Sequence, residues 1–219
     1  MFYFNLVFFL VFGLCSQLNG QTALSGQNLI FEKIYEQHIK QLHYLNEPHP
    51  KLLIMFSGTP AMGKTTVAKA LADHFHAVRV SSDDGRRLLR NCGQNIMLVH
   101  SYLEWLLPKL EANFPNHRII FDRCIDSVFP FYEKFALDHS FPPFLIRMKL
   151  ERAEAERRIR ARKKTVRSLL RNNVYFWRDY ENFSKTHTPD FVFDNSGPTE
   201  IPLQQLETKI QAFITAKNG

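Results

Sequence analysis

Short apolar runs alternate along this chain with longer stretches in which apolar residues recur at every third or fourth position. The short runs predict strands and lie at residues 51–57, 78–80, 118–122, 144–150 and 190–197, the last including a turn. The periodic stretches predict helices and lie at residues 29–45, 65–75, 94–112, 127–137, 151–171 and 203–216. Because strands and helices alternate at these lengths, we expect an α/β fold whose parallel five-stranded sheet has helices on both faces.

The first strand leads into the segment Gly58-Thr-Pro-Ala-Met-Gly63-Lys64-Thr65-Thr66. Its spacing, G-x-x-x-x-G-K-[ST] between a strand and a helix, is that of the phosphate-binding P-loop. The two glycines let the backbone turn and point its N–H groups inward, and the helix adds its positive N-terminal end. We expect Lys64 to reach the β- and γ-phosphates and the Thr65 hydroxyl to bind a magnesium ion. The predicted ATP-binding residues here are Gly58, Thr59, Pro60, Ala61, Met62, Gly63, Lys64, Thr65 and Thr66.

A polar cluster, residues 81–87, follows the second strand at the edge where parallel α/β sheets bind ligands. Asp83 in this cluster is positioned to orient an acceptor hydroxyl and to take its proton. The alternative is that Asp83 and Asp84 cap a helix that begins near Gly85. We favour catalysis for Asp83 and capping for Asp84. Arg86 either holds an anionic part of the acceptor or is a solvated surface arginine.

The third strand ends in Asp122, a carboxylate expected to bind magnesium, through water. Arg123 comes next, at the place where many ATP-hydrolysing motors carry a glutamate that activates water. A motor ATPase is therefore disfavoured. The chain also lacks the N/T-K-x-D pattern that recognises guanine, which argues against a GTPase.

The predicted helix at 151–171 is densely basic. Its arginines Arg158 and Arg162 are four positions apart and would share one helical face, from which they could neutralise charge on a transferring phosphate. Two alternatives remain open: a solvated helix paired with its own glutamates, or a nucleic-acid surface. The aromatic stretch 175–180 with Phe183 is interpreted as helix packing.

Taken together, these motifs resemble those of the small P-loop kinases, AAA-type ATP-binding domains that include the 5′-hydroxyl polynucleotide kinases. Zeta-toxin-type and antibiotic phosphotransferases are more distantly similar. The resemblance covers residues 51–216 and implies the P-loop NTPase fold with an arginine-rich helical lid. It further implies that Asp83 is the general base, that Arg86 contacts the acceptor, that Arg158 and Arg162 belong to the lid, and that Asn195 lies near the adenine.

Composition adds only modest limits on the number of domains, the partners and the metal sites. A length of 219 residues suits one globular domain, and the net charge of +7 favours an anionic partner such as a nucleotide, a nucleic acid or a membrane surface. Cys15, Cys92 and Cys124 are too few and too scattered for a disulfide framework or a zinc site. The nine histidines show no ligand spacing, so we assign none to a metal.

The first residues differ from the rest, since 2–18 are almost wholly apolar and no charge precedes Glu32. We expect a signal peptide or membrane anchor at 1–20, a linker at 21–28 and the kinase domain at 29–219. Basic residues follow the apolar run and none precedes it, so an anchor would leave the domain on the cytoplasmic side. A cleaved signal would make the protein secreted, and a mis-assigned start codon would make it cytoplasmic. A buried N-terminal helix is the remaining interpretation.

The sequence thus predicts a kinase that uses ATP and Mg²⁺ to phosphorylate a hydroxyl of a small molecule or of a nucleic-acid 5′ end. One alternative is a nucleotide-binding switch protein, either non-catalytic or of the ATPase type. Another is a nucleic-acid-binding protein that uses the basic helix.

Overall fold

Helices and strands alternate through the computed structural model, which describes residues 26–162 and 166–218. The strands are β1 (Leu52–Ser57), β2 (Val78–Ser81), β3 (Arg118–Cys124), β4 (Pro143–Lys149) and β5 (Phe191–Asp194). The helices are α1 (26–39), α2 (Lys64–Phe75), α3 (Ser82–Asn91), α4 (Val99–Asn113), α5 (Phe129–Asp138), α6 (Arg152–Arg160), α7 (Val166–Thr186) and α8 (Glu200–Asn218), with a 3-10 turn at Ile96–Leu98.

The five strands form one sheet in the order β2-β3-β1-β4-β5, and every neighbouring pair is parallel. The central strand β1 is buried at each of its six residues, as expected of a parallel strand covered on both faces. The predicted α/β fold with a parallel five-stranded sheet is therefore confirmed. Parallel pairing also brings the carboxyl ends of all five strands to one edge, where the polar residues predicted to act in the site are found.

Alternation along the strands divides the core into two clusters, one on each face of the sheet. Leu53 and Met55 face a cluster that includes residues of α1, α3, α4 and α5. Ile54 and Phe56 face the other, which is built with α2, α7 and α8. The first helix contributes the buried Phe31, Ile34 and Tyr35, so α1 packs on the domain as the sequence predicted.

Helix α3 begins earlier than predicted. It starts at Ser82, and Ser81 is its N-cap: the Ser81 hydroxyl accepts a hydrogen bond from the Asp83 backbone N–H at 3.2 Å. The prediction that Asp84 caps a helix beginning near Gly85 was wrong, because the last residue of β2 already supplies the capping oxygen.

The predicted basic helix at 151–171 is not continuous. Helix α6 ends at Arg160 with Ala161 as its C-cap, and α7 begins at Val166. In α7, Trp177 and Phe183 are buried whereas Tyr175 is exposed, which supports packing for part of the aromatic stretch.

The apolar segment 2–18 and Cys15 lie outside the described residues. Within 26–162 and 166–218, no helix combines the length and the apolar character needed to cross a membrane. Cys92 and Cys124 are free thiols.

His38 of α1 is a buried histidine that stacks on the Tyr102 ring, in the core cluster that Leu53 and Met55 face. It is 1% exposed, and its Nδ1 is hydrogen bonded to the Tyr102 hydroxyl at 2.9 Å. Burial lowers the pKa of His38 to about 4; the charge of Asp84 opposes this shift, and those of Arg87 and Arg79 add to it. The imidazole is therefore neutral in the folded protein near pH 7.

This burial predicts a loss of stability in mild acid. The unfolded chain binds a proton at His38 below pH 6.5 and the folded protein does so only near pH 4, so the free energy of unfolding falls between these values, by at most about 3 kcal/mol. Urea unfolding at pH 7 and pH 4.5 measures the change. His38→Gln should show a smaller loss, whereas the exposed His43→Gln should match wild type. Equal pH dependence in wild type and His38→Gln would contradict the assignment.

Candidate active site

The loop that joins β1 to α2 depends on two glycines at its ends. Gly58 and Gly63 have φ angles of +147° and +93°, values that L side chains rarely adopt. A Cβ added to Gly63 would lie 2.4 Å from the Asn195 side-chain nitrogen, and one added to Gly58 would lie 3.0 Å from the Met148 Cβ. The loop is thus packed closely against β4 and the turn after β5, and both positions require glycine.

Lys64, the first residue of α2, lies across this loop. Its Nζ donates hydrogen bonds to the carbonyl oxygens of Gly58 and Thr59, each at 2.7 Å. Burial lowers the pKa of Lys64, an effect opposed by Cys124, Asp126 and Asp122 and reinforced by Arg162. A poorly solvated ammonium group at the mouth of a loop and a helix N-terminus is suited to bind phosphate oxygens.

Asp122 lies beside the start of α2. It is 4% exposed and accepts hydrogen bonds from the Thr65 hydroxyl at 3.0 Å and from Arg79 at 2.5 Å. Burial raises the pKa of Asp122, and the contacts with Arg79 and Thr65 oppose that rise. A threonine hydroxyl next to a carboxylate is an all-oxygen donor set, which fits Mg²⁺. The two residues predicted to bind magnesium are therefore in direct contact.

Arg79 was not foreseen from the sequence. Its guanidinium bridges the carboxylates of Asp122 and Asp84, the latter at 2.8 Å. Asp84 also accepts a hydrogen bond from Arg87 at 3.0 Å. Burial alone would raise the pKa of Asp84, but the contacts with Arg87 and Arg79 hold it below its usual value. The sequence did carry a signal for these contacts. Arg79 lies between two valines of a strand, and a charged side chain in that position needs a partner.

Asp83 and Arg86 lie together at the start of α3. Their side chains form an ion pair at 2.8 Å, and the Asp83 carboxylate is 85% exposed. Arg86 also donates to the Ser82 hydroxyl at 3.3 Å. Asp83 is the second residue after the end of β2, at the predicted edge of the sheet. Among the described residues its carboxylate pairs with Arg86 and makes no hydrogen bond to Lys64 or Thr65.

Asn195, predicted to lie near the adenine, contacts the phosphate loop itself. Its side-chain nitrogen donates to the Met62 carbonyl oxygen at 3.0 Å, and its backbone N–H donates to the Lys149 carbonyl oxygen at 2.9 Å. The residue is 7% exposed. Asn195 therefore fastens the loop to β4 and to the turn after β5.

The two lid arginines occupy different surroundings. Arg158 donates to Glu154 at 2.7 Å and to the Asn195 carbonyl oxygen at 3.2 Å. Arg162 follows the end of α6, so the expectation that it shares a helical face with Arg158 was wrong. It is exposed, and its charge lowers the pKa of Lys64. Hydrogen bonds from Arg157 and Arg158 lower the pKa of Glu154 to about 2, so part of the basic helix is paired as the solvated alternative proposed.

Asp126 is a second carboxylate that sequence reasoning missed. Its Oδ2 accepts hydrogen bonds from the Gly58 backbone N–H at 3.2 Å and from the Cys124 thiol at 3.1 Å. Burial raises the pKa of Cys124 to about 12, so the thiol stays protonated and able to donate. The signal in the sequence for a role of Asp126 was its position, four residues after Asp122 and beyond the end of the same strand.

Two of the histidines to which we assigned no metal, His49 and His76, lie together at the opposite edge of the sheet. His76 Nδ1 is 2.7 Å from a carboxylate oxygen of Glu47, and His49 Nε2 is 3.8 Å from the same atom. This group precedes β1 and β2, whereas the loop follows β1. It is therefore separate from the site.

Sheet order, loop and the Thr65–Asp122 contact together define a P-loop NTPase fold. A family model described as an AAA domain matches residues 53–113, which run from β1 through α4. No curated protein matches the sequence.

Solved structures of similar fold include three kinases. An APS kinase from Mycobacterium tuberculosis, in complex with AMPPNP and APS, has a TM-score of 0.54 at 14% identity, covering 75% of this chain and 99% of that one. A shikimate kinase from Bacteroides thetaiotaomicron has a TM-score of 0.52 at 15% identity, covering 73% and 98%. A gluconokinase from Sinorhizobium meliloti 1021 has a TM-score of 0.55 at 12% identity, covering 78% and 98%. At these identities the likeness shows the fold.

The packing of Gly63 predicts that Gly63→Ala destabilises the protein in two ways. The left-handed backbone costs about 1 kcal/mol for alanine, and the methyl group would also displace the Asn195 amide. Urea unfolding should therefore show a larger loss than for Gly93→Ala, since Gly93 shares a positive φ of +68° but has nothing within 4 Å of an added Cβ.

A double-mutant cycle separates the two effects. In an Asn195→Ala background, Gly63→Ala should cost less, because the side-chain nitrogen it would strike is gone. If Gly63→Ala costs the same in both backgrounds, Asn195 does not pack on Gly63.

Proposed function

We propose that this protein is a kinase that transfers the γ-phosphoryl group of ATP to a hydroxyl of a small molecule or of a nucleic-acid 5′ end. The observation that carries the proposal is the direct contact of Thr65 with the buried Asp122 beside Lys64. A phosphate loop, a hydroxyl and a carboxylate in this arrangement supply what a magnesium–nucleotide complex needs.

In the proposed reaction, the loop amides and Lys64 bind the nucleotide phosphates. Lys64 would exchange its two carbonyl acceptors, Gly58 and Thr59, for phosphate oxygens, which are better partners for a poorly solvated cation. Thr65 and Asp122 would hold Mg²⁺. A magnesium ion held there would neutralise part of the charge that develops on the phosphates.

Asp83 is proposed as the general base. The hydroxyl proton of the acceptor passes to the Asp83 carboxylate as the hydroxyl oxygen bonds to the γ-phosphorus, and the bond to the β–γ bridging oxygen breaks to release ADP. The exposed carboxylate at the end of β2 is open to an acceptor. The carboxylate is paired with the Arg86 guanidinium, which lies one helical turn further along α3.

Arg158 and Arg162 are proposed to neutralise the transferring phosphoryl group. The hydrogen bond from Arg158 to the Asn195 carbonyl links α6 to the residue that fastens the phosphate loop. The charge of Arg162 lowers the pKa of Lys64. The hydrogen bond made by Arg158 supports a lid position for the segment around α6.

The names of the structural neighbours support this class of reaction, because an APS kinase, a shikimate kinase and a gluconokinase share the fold. The sequence motifs that resemble polynucleotide kinases keep a nucleic-acid 5′ end among the candidate acceptors. Fold alone does not choose the acceptor.

The proposal predicts distinct outcomes for Lys64→Ala and Asp83→Asn. Lys64→Ala should weaken binding of a non-hydrolysable ATP analogue, measured by calorimetry, by tenfold or more, because about one charge-assisted contact is lost. Asp83→Asn should leave that affinity unchanged and lower acceptor-dependent ADP release by about 10²-fold or more. The acceptor screen covers sugars, nucleotide sugars, and RNA and DNA 5′-hydroxyl ends.

Controls separate this proposal from its rivals. Asp138→Asn, which removes an exposed carboxylate of α5, should leave turnover unchanged. Full turnover in Asp83→Asn with loss in Asp126→Asn would transfer the base to Asp126, which adjoins Gly58. ATP binding without acceptor-dependent ADP release would favour the switch protein, and salt-sensitive oligonucleotide binding alone would favour the nucleic-acid binder.

A further inference from the structure

Arg123 is a buried cation that hydrogen bonds only to neutral groups among the described residues. It is 8% exposed and donates hydrogen bonds to the Cys124 carbonyl oxygen at 3.3 Å, the Tyr132 hydroxyl at 3.1 Å and the His100 Nδ1 at 2.8 Å. Its guanidinium carbon lies 5.8 Å from the centroids of the Phe121 and Tyr132 rings. Within the described ranges 26–162 and 166–218, it has no ion pair with a carboxylate.

A buried charge without a counter-charge is costly, and hydrogen bonds to neutral groups only partly offset the lost hydration. Glu104 of α4 is close enough to influence Tyr132: burial raises the pKa of Tyr132 to about 12, Arg123 opposes this and Glu104 adds to it. Glu104 nevertheless does not pair with Arg123. The other arginines of the site, Arg79 and Arg86, each contact an aspartate. Arg123 is the exception among them.

His100 adds a second N–H donor beside the Arg123 guanidinium. Because an arginine N–H can only donate, His100 Nδ1 must accept, and a neutral ring then carries its proton on Nε2. Burial lowers the pKa of His100, and the charges of Arg123 and Arg86 lower it further. The ring therefore stays neutral near pH 7 with an N–H to offer. Helix α3 packs against α4 here: a Cβ added to Gly85, the neighbour of Arg86, would lie 3.1 Å from Cγ2 of Val99, the neighbour of His100.

Arg123 and His100 lie on one side of the sheet edge where the proposed phosphoryl transfer occurs. Successive side chains of a strand point to opposite faces, so Arg123 faces α4 and α5 whereas Asp122 faces α2. Arg86 is one helical turn from Asp83 on α3 and contacts it at 2.8 Å. An anion held here would therefore sit near the proposed base and apart from the phosphate loop.

We infer that Arg123, His100 and Arg86 form an oxyanion-binding site on the α3–α4 side of β3, and that the acceptor carries a carboxylate or a phosphate besides its hydroxyl. A guanidinium has five N–H groups, of which three are used here, so two remain for an oxyanion. The assignment of the anion to the acceptor rests on the proposed kinase function. The binding of an oxyanion at Arg123 does not depend on that function.

The first experiment tests anion binding without catalysis. Inorganic phosphate is titrated into Lys64→Ala, in which the phosphate loop is weakened, and binding is followed by calorimetry. Phosphate should still bind, and adding Arg123→Gln should weaken it by about tenfold or more, because a charge-assisted contact is lost. Adding Arg90→Gln, which removes an exposed cation of α3, should change little. Equal phosphate affinity with and without Arg123→Gln overturns the site.

The second experiment asks whether the anion belongs to the acceptor. Hydroxy acids are compared with their neutral amides, and sugar phosphates with the free sugars, as acceptors for the full-length chain with ATP and Mg²⁺. Wild type should prefer one anionic set in kcat/KM by about tenfold or more, and that preference identifies carboxylate or phosphate. Arg123→Gln should reduce the preference and leave the KM for ATP unchanged. Equal use of charged and neutral acceptors overturns the assignment to the acceptor.

Failure of the kinase proposal would give a different pattern. Phosphate binding that depends on Arg123, with no acceptor turned over, would leave the anion site standing while the proposed function fails. Arg123→Lys and Tyr132→Phe guard against misfolding, since the first keeps the charge and the second removes only the hydroxyl partner. Phosphate affinity should survive largely in both. A loss in Tyr132→Phe equal to that in Arg123→Gln would show that Arg123 is structural and would refute the site.

Discussion

The hydrogen bond from Thr65 to the buried Asp122 carboxylate is the contact on which the site depends. A carboxylate that is 4% exposed must be compensated, and here the compensation comes from α2 through Thr65 and from β2 through Arg79. Arg79 in turn holds Asp84 on α3. The start of α2, the end of β3 and the first turn of α3 are thereby joined in one polar network. The proposed metal ligands and Asp84, the neighbour of the proposed base Asp83, share that network, so α3 is tied to the proposed metal site.

A second connection joins the phosphate loop to α6, the proposed lid. Asn195 donates from its side chain to Met62 in the loop, and its carbonyl oxygen accepts from Arg158 of α6. Movement of the loop when phosphate binds would therefore reach Arg158 through a single residue. In α6, Ala155 and Ile159 are fully buried while most of the arginines are exposed, so the helix is held to the core by few side chains. The proposed closure of α6 over a substrate would be easier for an element held by few buried side chains.

Much of the fold could be predicted from the sequence because periodicity and a specific loop motif point to one architecture. The five strands, the P-loop and the Thr65–Asp122 pair were all expected from local patterns. The start of α3 was missed because Ser81 both ends a strand and caps a helix, and neither role is visible without the other. The contacts of Arg79, Asp126 and Asn195 could not be predicted, since each joins segments distant in sequence and depends on how the strands are ordered in the sheet.

The end of β3 accounts for how one edge could serve two anionic ligands. Asp122 and Arg123 are adjacent in sequence, yet the alternation of a strand sends the carboxylate towards α2 and the guanidinium towards α4 and α5. A magnesium–nucleotide complex and an anionic acceptor would repel one another if they shared a pocket. Placed on opposite faces of β3, they are separated by the strand while both remain at its carboxyl end. The net charge of +7 can be assigned in part to this edge, because the cations proposed to bind ligands lie around it. Part of the basic helix, by contrast, is paired with its own glutamates.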